Sequence, residues 1–384
     1  MALAGGALAG CGDRGKPTTG AVADKPLPGP PSTAMAPLAP SRSPDGKVRV
    51  ALLLPLTGTN ADLGKSMQDA AQMALFDAGR QDLQLVPIDT GDTPEGAIAA
   101  ARTAVAQNVQ LIVGPLYGSS TTAIAPITRS AGINVLSFSN DPGVAGNGVY
   151  IMGFTVYPQV VRVVNFAIEK GLTRLAVLAP NTNYGQNVAQ IVQEVAQARG
   201  ASVVAVEFFD NAATDVAQSV NNFSATARNA QAIVLPIGGA RLSAVVPLLA
   251  YRDLDPRKVK YLGTGLWDVP NIWRETALIS AWYAAPPPEA RADFERRYND
   301  AYGRRPQRLA SLAYDALALA AVLSRNSDFS SSALANPNGF AGVDGLFRFL
   351  PDGQIERGLG VVEIGRSDVK SVSPAPTSFQ RPTN

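Results

Sequence analysis

The sequence predicts an α/β protein made of two doubly wound parallel sheets. Short, nearly continuous apolar runs such as Arg49-Val50-Ala51-Leu52-Leu53-Leu54 read as strands covered on both faces, and longer amphipathic stretches alternate with them. The alternation runs once from Lys47 to Leu136 and again from Tyr157 onward, which implies two sheets with helices on both faces of each.

In the first series, strands at Arg49–Leu54, Gln84–Ile88, Leu111–Val113 and Asn134–Leu136 alternate with helices at Leu63–Ala78, Thr93–Gln107 and Ser120–Ala131. Thr93-Pro94-Glu95 marks the start of the second helix: Thr at the N-cap, Pro where its missing N–H costs nothing, and an acid near the positive end of the helix dipole. The second series places helices at Tyr157–Lys170, Tyr184–Arg199, Thr214–Thr226 and Ala240–Leu249 among strands at Arg174–Leu178, Ser202–Phe208, Ala232–Leu235 and Lys260–Leu262. Helices Glu289–Tyr302 and Leu309–Arg325 precede a β tail at Leu346–Phe349 and Leu359–Ile364, with Pro351-Asp352-Gly353 as the turn joining those strands.

Composition removes several function classes. With no histidine, a Ser-His-Asp triad, a Cys-His pair and the usual His-ligated zinc sites are excluded. One cysteine excludes an internal disulfide, thiolate zinc clusters and iron–sulfur centres. A formal net charge of +2 without a Lys/Arg-rich run gives no surface for tracking nucleic-acid phosphates. No metal or cofactor is expected, and paired acids at a recognisable catalytic spacing are lacking, so catalysis is the weakest of three function classes.

The single cysteine, Cys11, closes Leu8-Ala9-Gly10-Cys11, which resembles a bacterial lipobox; residues 1–11 then form a lipoprotein signal segment, and acylation at Cys11 anchors the chain to a membrane. The basic n-region of such a segment is expected upstream. Residues 12–47 are rich in Pro, including Pro26, Pro28, Pro30 and Pro31, and read as a disordered tether. In polyproline II such a tether reaches on the order of 100 Å at roughly 3.1 Å per residue.

Several stretches resemble the type I periplasmic binding proteins of the branched-chain amino-acid receptor kind: Ala51-Leu52-Leu53-Leu54-Pro55-Leu56-Thr57-Gly58 with Leu63-Gly64, Ile112-Val113-Gly114-Pro115, Tyr184-Gly185, and Gly342-Val343-Asp344-Gly345-Leu346-Phe347-Arg348-Phe349. The resemblance implies a two-lobed clamshell with three crossovers, lobe 1 from residues 48–156 and 284–340, lobe 2 from 157–283 and 341–366, and a disordered tail at 367–384. A nearer resemblance is to the proteobacterial penicillin-binding protein activators, carried by Asp89-Thr90-Gly91-Asp92-Thr93-Pro94-Glu95-Gly96, Phe138-Ser139-Asn140-Asp141, Gly263-Thr264-Gly265-Leu266-Trp267-Asp268, Leu309-Ala310-Ser311-Leu312-Ala313-Tyr314-Asp315 and Pro337-Asn338-Gly339-Phe340. The best-known member of that branch carries an N-terminal helical-repeat module where this chain has the Pro-rich stretch.

Ligands of open α/β sheets bind beyond the carboxyl ends of the strands. By that rule lobe 1 offers Thr57, Tyr117, Gly118, Ser119, Ser120, Ser139, Asn140 and Asp141, and lobe 2 offers Tyr184, Gly238, Gly239, Gly265 and Trp267. The resemblance assigns carboxylate- and ammonium-holding positions to Gly118, Asp141 and Gly265, where this chain has no matching hydroxyl or acid, and keeps Tyr184; Ser119 or Ser120 is the substitute if the loop shifts. A free α-amino acid is therefore a poor fit, because a buried ammonium needs a carboxylate partner. Each residue also has a purely structural reading: Ser119 and Ser120 as helix caps, Asp141 as the start of a turn, Tyr184 as packing, and Gly238-Gly239 as the end of a strand. Trp267, flanked by Gly and polar residues, is read as a cleft or interface aromatic.

The expected protein is a non-enzymatic, periplasm-facing lipoprotein of the activator type, acting on a peptidoglycan synthase or a wall-derived ligand. The alternative is the substrate-binding component of an ABC importer, delivering an amino acid, amide or peptide-like small molecule to a permease. Gly12 after the lipidated cysteine, where the retention signal would have Asp, points to the outer rather than the inner membrane.

Overall fold

The computed structural model describes residues 46–210 and 216–379; Cys11, most of the Pro-rich stretch and the first residues of the helix expected at Thr214 lie outside them. Strand β1 (Val48–Leu54), helix α1 (Ala61–Ala78), β2 (Leu83–Asp89), α2 (Pro94–Ala106), β3 (Leu111–Val113), α3 (Gly118–Ser130), β4 (Asn134–Ser137) and β5 (Val149–Ile151) build the first sheet, in the parallel order β2-β1-β3-β4-β5. Thr93 caps α2, accepting from the Gly96 N–H at 3.1 Å, as its position before Pro94 predicts.

After β5 the chain enters the second sheet through α4 (Val156–Glu169), β6 (Arg174–Pro180), α5 (Asn183–Ala198), β7 (Ser202–Phe209), α6 (Ala217–Thr226), β8 (Ala232–Val234), α7 (Gly239–Tyr251), β9 (Lys260–Gly263), the short α8 (Pro270–Trp273) and β10 (Trp282–Ala285). Helices α9 (Pro288–Tyr302) and α10 (Ala310–Ser324) return to lobe 1, where Leu312, Ala313, Ala316, Leu317 and Ala320 are buried against β1 and its neighbours. Then come α11 (Ser331–Leu334), β11 (Phe340–Gly342), β12 (Gly345–Phe349), β13 (Ile355–Arg357), β14 (Gly360–Ile364) and β15 (Val369–Ser373). The second sheet has the order β15-β14-β10-β9-β8-β6-β7, with every pairing parallel except the two that β14 makes, to β10 and to β15.

Three expectations for the tail need correction. Pro351-Asp352-Gly353 joins β12 to β13, which with β11 form a small antiparallel sheet, while β14 belongs to the lobe 2 sheet. Phe347, Phe349 and Ile355 bury their side chains in the lobe 1 core, so the third crossing falls near Arg357–Gly360 instead of residue 340. The segment read as a disordered tail from residue 367 carries β15, whose backbone pairs with the edge that β14 would otherwise expose.

Both sheets reverse strand order next to their first strand, between β1 and β3 and between β6 and β8, which puts the crevice of each lobe at the carboxyl ends of those pairs. Equivalent glycines bring the following helix close beneath the strand end: a Cβ at Gly64 would overlap the Pro55 carbonyl, and one at Gly185 the Pro180 carbonyl.

Candidate functional site

On lobe 1 the crevice is organised by two aspartates that the sequence reading did not single out. Asp89, the last residue of β2, accepts from the Leu56 N–H (2.8 Å), the Thr57 N–H (3.3 Å) and the Thr57 hydroxyl (2.6 Å). Burial opposes its ionisation, but those bonds and one from the Gly91 N–H outweigh it and hold the carboxyl below its ordinary value. Asp92 accepts from the Asn60 side chain (3.1 Å), the Asn60 N–H (3.2 Å) and the Tyr117 hydroxyl (3.1 Å), tying the β1–α1 loop to the head of α3. The Asn60 side chain is the largest cause of its lowered pKa. Burial, and next the Asp92 carboxylate to which its hydroxyl donates, raise the pKa of Tyr117, since a phenolate beside a carboxylate is disfavoured. A strand ending in Asp followed by a Gly-Asp pair is the signal that could have found both, since it lies where the crevice rule points.

Helix α3 starts at Gly118 with Tyr117 at the N-cap position, and no side-chain cap bond forms there. Ser119 and Ser120 therefore lie inside the first turn and are not caps; Ser119 is exposed and Ser120 buried. Asp141 does start a turn, accepting from the Gly143 N–H at 2.8 Å, and its own N–H donates to the buried Ser139 hydroxyl at 3.0 Å. Its carboxylate nevertheless packs against the head of α3: an ideal Cβ on Gly118 would lie 3.3 Å from Asp141 Oδ2 and 3.2 Å from Ser139 Oγ. Asn140 beside it is exposed. Among the described residues Asp89, Asp92 and Asp141 make no ion pair, so this wall carries negative charge facing the helix N-terminus that an anionic ligand group would need.

On lobe 2 the structure brings Tyr184, Gly238 and Gly265 together. The Tyr184 hydroxyl shares a 2.8 Å hydrogen bond with Thr264 Oγ1, and its ring packs on the lobe 2 core, as its structural reading has it. Burial raises its pKa, which the Thr264 bond partly offsets. Gln159 in the first turn of α4 accepts from the Gly265 N–H at 2.6 Å, so that amide is already occupied. Gly238 at the head of α7 packs against Leu266, which stays exposed on the loop, while Gly239 faces open space.

Trp267 is a correction. It is fully buried in the lobe 2 core, its indole N–H donating to the Ile237 carbonyl at 2.8 Å. A short 3-10 turn, Gly265–Trp267, folds the ring back over β9, and Gly263 makes room, since a Cβ there would collide with the indole. The flanking glycines are the clearance for a core ring and do not mark a cleft.

Comparison with known proteins places this geometry. Residues 47–368 match the family model described as periplasmic binding protein. A putative branched-chain amino acid ABC transporter protein from Rhodospirillum rubrum superposes with a TM-score of 0.76 at 21% identity, covering 85% of this chain and all (100%) of that one. A branched-chain amino acid ABC transporter periplasmic ligand-binding protein from Burkholderia xenovorans gives 0.72 at 19% identity over 85% of this chain and 95% of that one. An uncharacterised protein of Rickettsia prowazekii is 26% identical over 220 residues, 57% of this chain and 56% of that protein, so the match spans about half its length.

Proposed function

The chain belongs to the periplasmic binding protein family, and from this we infer that it works at the cell envelope by binding, without catalysis, closing its two lobes over a ligand that lacks a free carboxylate at the lobe 1 end. The observation that carries this is Asp141 against Gly118 at the head of α3, with Asp89 and Asp92 on the same wall and no cation paired to them among the described residues. A ligand carboxylate brought there meets fixed like charge, and as the lobes close and exclude water that repulsion grows. An amide, a peptide-like fragment of the wall or a donor-rich segment of a partner protein meets acceptors instead.

The reading consistent with the activator-like stretches is a lipid-anchored regulator of peptidoglycan synthesis, held at the outer membrane through Cys11, with the Pro-rich tether giving reach towards a synthase. Closure would then change the face shown to that partner. A second reading, delivery of a small ligand to an ABC permease, is favoured by the architecture shared with transporter ligand-binding proteins. Purification of the tagged chain from its native envelope separates them: a peptidoglycan synthase is the expected co-purifying protein, and a permease with its ATPase would replace the first reading by the second. In the same preparation Cys11→Ser should move the protein from the membrane fraction to the soluble periplasm with its fold intact, because the first strand begins at Val48. A variant that still pellets with membranes would remove the anchor from the account.

A further inference from the structure

Six ionisable side chains meet where the chain passes between the lobes. Asp268 comes from lobe 2, directly after the Gly265–Trp267 turn; Arg291 from the first turn of α9; Arg308 and Asp315 from the start of α10; Asp344 from the β11–β12 turn; and Arg357 from the end of β13. Asp344 is wholly buried and Asp268, Asp315 and Arg357 nearly so. Buried charges are costly unless they are paired, and breaking one pair leaves the other charge stranded.

Their geometry crosses the lobe boundary. Arg308 reaches Asp268 at 3.0 Å and Asp344 at 3.1 Å, and Arg291 joins the same Asp268 oxygen. The Tyr283 hydroxyl supplies a further bond to Asp268 at 3.3 Å. Phe154, on the first crossing, lies between two cations, its ring centroid 4.5 Å from the Arg308 guanidinium carbon and 4.8 Å from that of Arg357. Arg357, on the third crossing, donates to the Met152 carbonyl on the first. Arg291 follows the second crossing by a few residues, so the cluster ties all three connecting segments together.

We propose that this cluster is a charge latch that holds the lobes at a set angle, with Asp268 as the lobe 2 catch and Arg291 and Arg308 as the clasp brought from lobe 1. Asp268 is one residue beyond Trp267 and four beyond Thr264, the hydroxyl partner of Tyr184 in the crevice. A ligand that pulls on the Thr264–Leu266 loop therefore loads the catch directly, and the latch converts crevice contact into lobe movement. The coupling to a ligand rests on the binding reading, whereas the latch itself is defined by the lobe angle of the ligand-free chain and survives the failure of that reading.

Pulsed electron resonance between spin labels reads that angle. Cysteines replacing the exposed Arg102 on α2 and Gln197 on α5, in a Cys11→Ser chain, put one label on each lobe. The parent should give a single narrow distance population. Asp268→Asn should add a second, separate population comparable in size to the first, and Arg308→Gln the same, so a folding failure of one variant leaves the other to decide. Asp253→Asn removes an exposed charge that, among the described residues, pairs with Lys258 at 3.4 Å, and should leave the distribution unchanged. A single unshifted population in either folded latch variant, or a shift of equal size in the Asp253 control, overturns the latch.

Discussion

Trp267→Ala should lower the unfolding free energy by about 3–5 kcal/mol, the range for truncating a fully buried large aromatic. The ring fills the space over Gly263 in the lobe 2 core, packs edge-on to Tyr283 at 6.5 Å, and satisfies the Ile237 carbonyl with its N–H. Alanine leaves a cavity and a buried carbonyl without its donor, and the close approach of Gly263 gives the backbone little room to collapse into the gap. Denaturant titration followed by circular dichroism measures it. A loss well under 1 kcal/mol would mean that the ring is exposed in solution and belongs to the crevice after all.

The second large effect is a pH dependence centred on Asp315. Burial pushes its carboxyl up to about 7, and the neighbouring Asp344 charge adds to that; the N–H of Val343, the Arg357 guanidinium and the N–H of Asp344 oppose it. The other charged group close by is Arg308, shared between Asp268 and Asp344. Since the folded value lies above the unfolded one of 3.8, the stability contributed by neutral Asp315 is complete below about pH 4 and is lost as pH rises through 7. Asp89, Asp92 and Glu363 run the other way: their folded values are lowered, so their contribution is present above the ordinary carboxylate range and lost on acidification. The two trends separate in pH. Between pH 5 and 8.5 the parent should lose on the order of 2–3 kcal/mol relative to Asp315→Asn, whose side chain cannot ionise. Parallel stability curves for the two proteins over that interval would show that Asp315 keeps one charge state throughout.

Much of the fold was legible because its signals are local. Apolar runs such as Leu52-Leu53-Leu54 are buried on both faces, and Thr93-Pro94 caps the helix where capping chemistry requires. Strand β5 was missed because a strand of three residues directly after Gly148 carries too little periodicity, and β10 because it is four residues long and abuts Pro286-Pro287-Pro288. The tail misled for a different reason: which sheet a short strand joins is decided by long-range packing, here Phe347 and Phe349 entering the lobe 1 core. In the crevice, Asp141 starts a turn as its structural reading has it, and Tyr184 stands at the head of α5 with its hydroxyl on Thr264. Trp267 was misjudged because flanking glycines look the same whether they open a cleft or clear space for a core ring. The latch left no signal, since its six side chains span residues 268–357 at no fixed spacing and meet only once the chain has crossed between the lobes.

Calorimetric titration of the purified chain with leucine, isoleucine and valine tests the central claim most directly. With Asp141 seated at the head of α3 and the Gly265 amide held by Gln159, none of the three should bind more tightly than about 1 mM, near −4 kcal/mol. Micromolar binding of any of them, abolished by Tyr184→Ala, would contradict the account and assign the crevice to amino-acid capture.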